Sequence, residues 1–84
     1  MKKIAVIGAV LDSPKESSKD FNALVSEYQE IIQGRMGIPF IKENISVISL
    51  TVIGSLDQIN SLTGQIGNLP GVTVKTSITK KTLT

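Results

Sequence analysis

Residues 3–11 are almost continuously apolar and rich in β-branched side chains, and the run stops at Asp12-Ser13-Pro14. An apolar run bounded by a turn signal predicts a central strand. Ser13 then has the makings of a helix N-cap, with Pro14 at the first helical position and Glu16 three residues beyond Ser13 completing a capping box. Phe21, Leu24, Val25, Tyr28, Ile31 and Ile32 recur at spacings of three and four, which gathers them on one stripe of an amphipathic helix. Residues 34–41 carry two glycines and a proline that would disturb a central strand, so they predict an edge strand.

Lys42-Glu43-Asn44 reads as a hairpin turn, and residues 45–53 form a second strongly apolar, β-branched strand. Gly54-Ser55 opens another helix, with Gln58 in a second capping box and Leu56, Ile59, Leu62, Ile66 and Leu69 as its stripe. Gly67 or the Asn68-Leu69-Pro70-Gly71 segment closes that helix. Residues 72–78 alternate Val72 and Val74 with Thr73 and Lys75, the pattern of a half-exposed edge strand.

The order β, α, β, β, α, β with short connections predicts an α+β, ferredoxin-like βαββαβ sandwich: a four-stranded antiparallel sheet with two helices on one face. The two most apolar strands belong in its centre and the strands bearing Gly, Pro and Lys at its edges, which gives the order 4-1-3-2. Residues 1–84 have room for a single domain with one core.

The faces of that sheet raise the question of function. Along the first strand Ile4, Val6 and Val10 point one way and Ala5, Ile7, Ala9 and Leu11 the other, yet helices cover only one side. In the third strand Ile48, Leu50 and Val52 are expected under the helices, with Ile45, Val47, Ser49, Thr51 and Ile53 on the free face. A free face carrying Ile4, Val6, Val10, Ile45 and Val47 predicts a homo-oligomer, dimer or tetramer, assembled through the sheet.

Composition points the same way. Cysteine and histidine are both absent, so the chain has no disulfide staple, no thiolate or imidazole metal ligand and no imidazole base. Carboxylates alone could hold a metal, and they read as caps and solvated helix faces, so neither a metal site nor a cofactor is expected. With no catalytic constellation the chain reads as a non-enzyme. An acylphosphatase would carry a phosphate-cradling loop with arginine where this chain has Asp12-Ser13-Pro14, and a heavy-metal carrier needs paired cysteines.

Nine basic residues face seven acidic ones, and the lysine clusters, Lys2-Lys3 and Lys75, Lys80, Lys81, lie near the two ends of the chain. They read as solubilising termini, so direct DNA binding is not expected from this chain alone. No stretch reaches the length of a membrane span and no signal-peptide cleavage pattern follows Leu11, which predicts a cytoplasmic protein. The segment Gly34-Arg35-Met36-Gly37-Ile38-Pro39 stands apart because it places the single arginine between glycines in an edge strand. If the strand is regular, Met36, Ile38 and Phe40 point one way and Arg35 the other, toward the free face or an adjoining chain.

The chain resembles the iron-only hydrogenase system regulators, small proteins proposed to act in transcription. The resemblance rests on Lys3-Ile4-Ala5-Val6-Ile7-Gly8, on the stretch from Tyr28 to Pro39 with its Gly34 to Pro39 hexapeptide, and on Leu62-Thr63-Gly64-Gln65-Ile66-Gly67 followed by Leu69-Pro70-Gly71-Val72. It implies an ACT-like version of the ferredoxin-like fold, oligomers built through ACT-like sheets and a regulatory role. The chain is similar also to the C-terminal effector domain of nickel-responsive repressors, but it lacks their metal-ligating histidines and cysteine and their DNA-binding module. The resulting expectation is a small effector or partner protein bound at a subunit interface near Gly34, Arg35, Met36, Gly37, Ile38 and Pro39, with Asp12 and Ser13 as secondary candidates. The alternative is a scaffold domain without a ligand.

Overall fold

A computed structural model describes residues 1–83, with Thr84 outside them. Six elements follow in order: β1 (Lys2–Asp12), α1 (Pro14–Ser26), β2 (Ile32–Phe40), β3 (Ile45–Gly54), α2 (Leu56–Gly67) and β4 (Val72–Leu83). The sheet is antiparallel in the order β2-β3-β1-β4, the sequence-derived 4-1-3-2 read from the other edge. Ala5, Ile7, Ala9 and Leu11 of β1 and Ile48, Leu50 and Val52 of β3 lie buried under Phe21, Leu24 and Val25 of α1 and Ile59, Leu62 and Ile66 of α2. The most apolar strands hold the centre because both of their neighbours are strands and one face is covered.

The second capping box forms as expected: Gln58 N donates to Ser55 Oγ (3.1 Å) and Ser55 N to Gln58 Oε1 (2.9 Å). Gly54 makes that closure possible. A Cβ at Gly54 would stand 2.9 Å from Gln58 Oε1 and 3.1 Å from Ile31 Cγ2. Leu56, assigned to the buried stripe by spacing, is exposed instead, because it precedes the turn of α2 that packs on the sheet.

The first capping box does not form. Ser13 adopts a left-handed backbone (φ 48) and its side chain makes no cap hydrogen bond. Its N–H donates to the Asn44 carbonyl (3.0 Å), which ties the end of β1 to the turn before β3, while Ser17 Oγ donates to the Asp12 carbonyl (2.9 Å). Helix α1 also ends sooner than its apolar spacing suggests. After Ser26 the chain turns through Tyr28 N to Val25 O and Ile31 N to Tyr28 O, and the Ile31 carbonyl accepts from Ile53 N (2.9 Å). Ile31 thus joins the core from the turn before β2 and Ile32 packs against it from the strand's first position, since pairing with β3 competes for the backbone that a longer helix would use.

On the outer side of the helices, the half-buried Tyr28 shares a hydrogen bond with Ser61 Oγ (2.8 Å), and Gln65 Nε2 donates to the Tyr28 hydroxyl and to Ser61 Oγ. This cluster joins the turn after α1 to α2. Strand β4 runs five residues past the expected end at Ile78, pairing Lys3 with Thr82 and Lys2 with Leu83 across a bulge.

Candidate functional site

The sheet face away from the helices is a continuous, mostly apolar surface. Register places Val6 beside Thr51, Gly8 beside Ser49 and Val10 beside Val47. On the next strand Met36, Ile38 and Phe40 pair with Ser49, Val47 and Ile45. Ile4, Val10, Ile45 and Val47 are half-buried, whereas Val6 (46 %), Met36 (65 %), Ile38 (49 %) and Phe40 (42 %) are exposed. Thr73, Lys75 and Ser77, opposite Val10, Gly8 and Val6, form the polar margin on β4. Three bulky side chains of β2 therefore extend the surface that β1 and β3 begin.

The position of Arg35 is the reverse of the sequence expectation. A turn of Lys42-Glu43-Asn44 would pair Ile41 with Ile45 and put Arg35 opposite Thr51, on the free face. The connection is instead residues 41–44, closed by Asn44 N to Ile41 O and by the left-handed Asn44 (φ 56), so that Phe40 pairs with Ile45 and Arg35 with Leu50. A one-residue change of register exchanges the two faces of a strand. Arg35 consequently lies on the helix side, its guanidinium 5.6 Å from the centroid of the Phe21 ring, with Nη2 donating to Asn22 Oδ1 (2.7 Å). A cation over an aromatic face is attracted by the ring quadrupole. Arg35 thereby ties β2 to α1.

The hexapeptide is divided by this register: Gly34, Met36 and Ile38 belong to the free face, and Arg35, Gly37 and Pro39 to the helix side. Pro39, not Arg35, lies at the corner that Ser13 borders. Pro14, Lys15, Pro39, Phe40, Asn44 and Ile45 line a hollow of about 210 Å³ at the corner where β2, the 41–44 loop and the start of α1 converge. Ser13 borders it through Asn44, whose Nδ2 donates to Ser13 Oγ (3.4 Å). Asp12 and Ser13 also line a second hollow of about 220 Å³ with Glu16, Asp20 and Gly71.

The corner hollow has apolar walls and one cationic side chain, Lys15, which helical spacing alone does not distinguish from a residue on a solvated face. The signal that locates it is loop length, because the 41–44 connection brings Asn44 back to Ser13. Among the described residues no group of three or more His, Cys, Asp or Glu side chains is placed to hold a metal ion, and no helix is long and apolar enough to cross a membrane.

Residues 3–76 match the model of the TM1266-like family, described as proposed regulators of the iron-only hydrogenase system. The chain belongs to the TM1266-like family. The matched TM1266-like segment includes the free sheet face, the Gly34 to Pro39 hexapeptide and the corner hollow. Among solved structures, the uncharacterized protein TM1266 from Thermotoga maritima is similar with a TM-score of 0.91 and 30% sequence identity, over 95% of this chain and 100% of that one. No curated protein matches the chain.

Proposed function

We propose that this TM1266-like chain is a non-enzymatic regulatory module of the iron-only hydrogenase system that assembles through its free sheet face and takes a small effector at the edge of the subunit interface. The observation that carries this reading is the face itself, where Val6, Met36, Ile38 and Phe40 are exposed together. Apolar area removed from water contributes about 25 cal/mol per Å², so pairing two such faces would stabilise each chain by several kcal/mol. A second copy of the chain fits as occupant because a small domain without disulfide or metal gains from a partner. Gly8, Ser49 and Thr51 keep the middle of the face low enough for another sheet to approach.

The corner hollow adjoins this face through Phe40 and Ile45. Its chemistry suits a small molecule with an apolar body and an acidic end facing Lys15. Arg35 holds β2 against α1 apart from this hollow, some four residues or about 13 Å along the strand from Pro39.

Light scattering at micromolar concentration is expected to give a dimer or tetramer for the wild type and a monomer for Ile38→Lys. A monomeric wild type would refute the assembly. For the effector, thermal shift against a panel of small apolar acids is expected to reveal a stabilising compound whose effect is lost in Lys15→Gln and kept in Arg35→Ala. A ligand at 100 times its Kd adds about 2.7 kcal/mol, well within detection. The opposite pattern would move the ligand to Arg35, and no hit in the panel would favour a scaffold without a ligand.

A further inference from the structure

In the sequence the lysines form two separate weak clusters near opposite ends, but the fold makes them one. β1 and β4 are antiparallel neighbours, and Lys2 pairs with Leu83 and Lys3 with Thr82. Lys80 and Lys81 fall in the bulge of the same ladder, where β4 has extra residues between its partners of Lys3 and Ala5. One end of a two-stranded ribbon therefore carries Lys2, Lys3, Lys80 and Lys81, with Lys2 and Lys3 on opposite sides of its tip. Lys2, Lys80 and Lys81 are exposed, and Lys3 Nζ donates to Thr82 Oγ1 (3.0 Å), which holds it in place at the ribbon. Neither strand carries a carboxylate at this end: Asp12 closes the opposite end of β1, while Asp57, in the first turn of α2, follows three residues after Gly54, the β3 partner of Lys3.

We infer that this ribbon end is a docking surface for the phosphate backbone of double-stranded DNA. Four ammonium groups with the hydroxyls of Thr79 and Thr82 beside them form a set of donors suited to phosphodiester oxygens. The partner is a duplex and not a single strand, because β1 and β4 hold no aromatic side chain on which an unpaired base could stack. DNA fits better than double-stranded RNA, because the B-form major groove admits a two-stranded β-ribbon and the deep, narrow A-form groove does not. Contacts of this kind position a protein without reading sequence. The surface is independent of the proposed effector corner, which lies at the other end of β1.

The test is fluorescence anisotropy of a labelled 20-base-pair duplex across 50–200 mM salt, with wild type, the pair K80Q/K81Q and the equal-charge control K19Q/K42Q. Wild type is expected to bind with a slope of log K against log salt near −3.6, from about −0.9 for each of four neutralised phosphates. The ribbon variant should lower that slope to about −1.8 and the control should leave it unchanged. Lys80 and Lys81 are exposed, and circular dichroism would verify that their replacement leaves the fold intact. Absence of binding at 50 mM salt, equal loss in the control, or tighter binding to single-stranded DNA or phosphatidylserine vesicles than to the duplex would each overturn the proposal.

Discussion

Ser13 and Ser55 share a sequence signature, each followed three residues later by Glu or Gln, yet only Ser55 caps its helix. The difference lies in the backbone, since Ser13 is drawn into the left-handed region by its bond to Asn44 and cannot aim its hydroxyl at the third helical N–H. Ser55→Ala is therefore expected to cost about 1 kcal/mol, the usual value of an N-cap. Ser13→Gly should be neutral or stabilise by up to about 1 kcal/mol, because glycine takes a left-handed backbone without a Cβ penalty. Urea midpoints at constant m-value decide this, and equal losses at both positions would show that Ser13 does cap. Gly54→Ala should cost about 1–3 kcal/mol by the same assay, since its Cβ would press on Ile31 and on the Gln58 oxygen that completes the cap.

At the level of elements, the length of the 41–44 connection decides which chemistry β2 presents to each side. With Glu43 removed and the four-residue connection re-formed, Pro39 would pair with Ile45, a slip of one residue that turns Met36 and Ile38 toward the helices and frees Arg35 from Phe21. Faster hydrogen exchange is expected in the amides of β2 while those of β1 and β4 hold their protection. Unchanged protection in β2 would mean that the turn does not set its register.

This element also shows where legibility in the sequence ended. The central strands, their order and their inner residues follow from β-branched runs and alternation, and the α2 cap from the Ser55 and Gln58 spacing. The outward parity of an edge strand does not, because Gly34, Gly37 and Pro39 interrupt its alternation and one residue of loop reverses it. Likewise the apolar spacing of Ile31 and Ile32 fits both a helix stripe and a strand start, and only the β3 partner distinguishes them. Of the corner hollow the sequence shows Pro39 and the bordering Ser13 by residue type, but Lys15 and the role of the loop depend on contacts distant along the chain. Lys80 and Lys81 read as part of a solubilising terminus because nothing in their own neighbourhood marks the continuation of β4 past Ile78.

For the molecule as a whole, the Cα atoms span 43 × 18 × 17 Å, and the free face lies on one side of this elongated body. If two copies cover that face, folding and association are linked, and the melting temperature depends on protein concentration. A tenfold dilution is expected to lower Tm for the wild type and to leave that of Ile38→Lys unchanged, as read by calorimetry. A wild-type Tm independent of concentration would count against assembly through this face.

The hydrogen-bonded cluster of Tyr28, Ser61 and Gln65 supplies a way to watch these events separately. Tyr28 is the chain's single tyrosine and tryptophan is absent, so ultraviolet emission excited near 280 nm comes from one phenol that joins the turn after α1 to α2. The protein thus carries a built-in optical reporter on its helical layer, remote from the sheet face. Dilution that separates subunits should leave the emission steady, whereas any event that pries α2 away from the turn after α1 should change it.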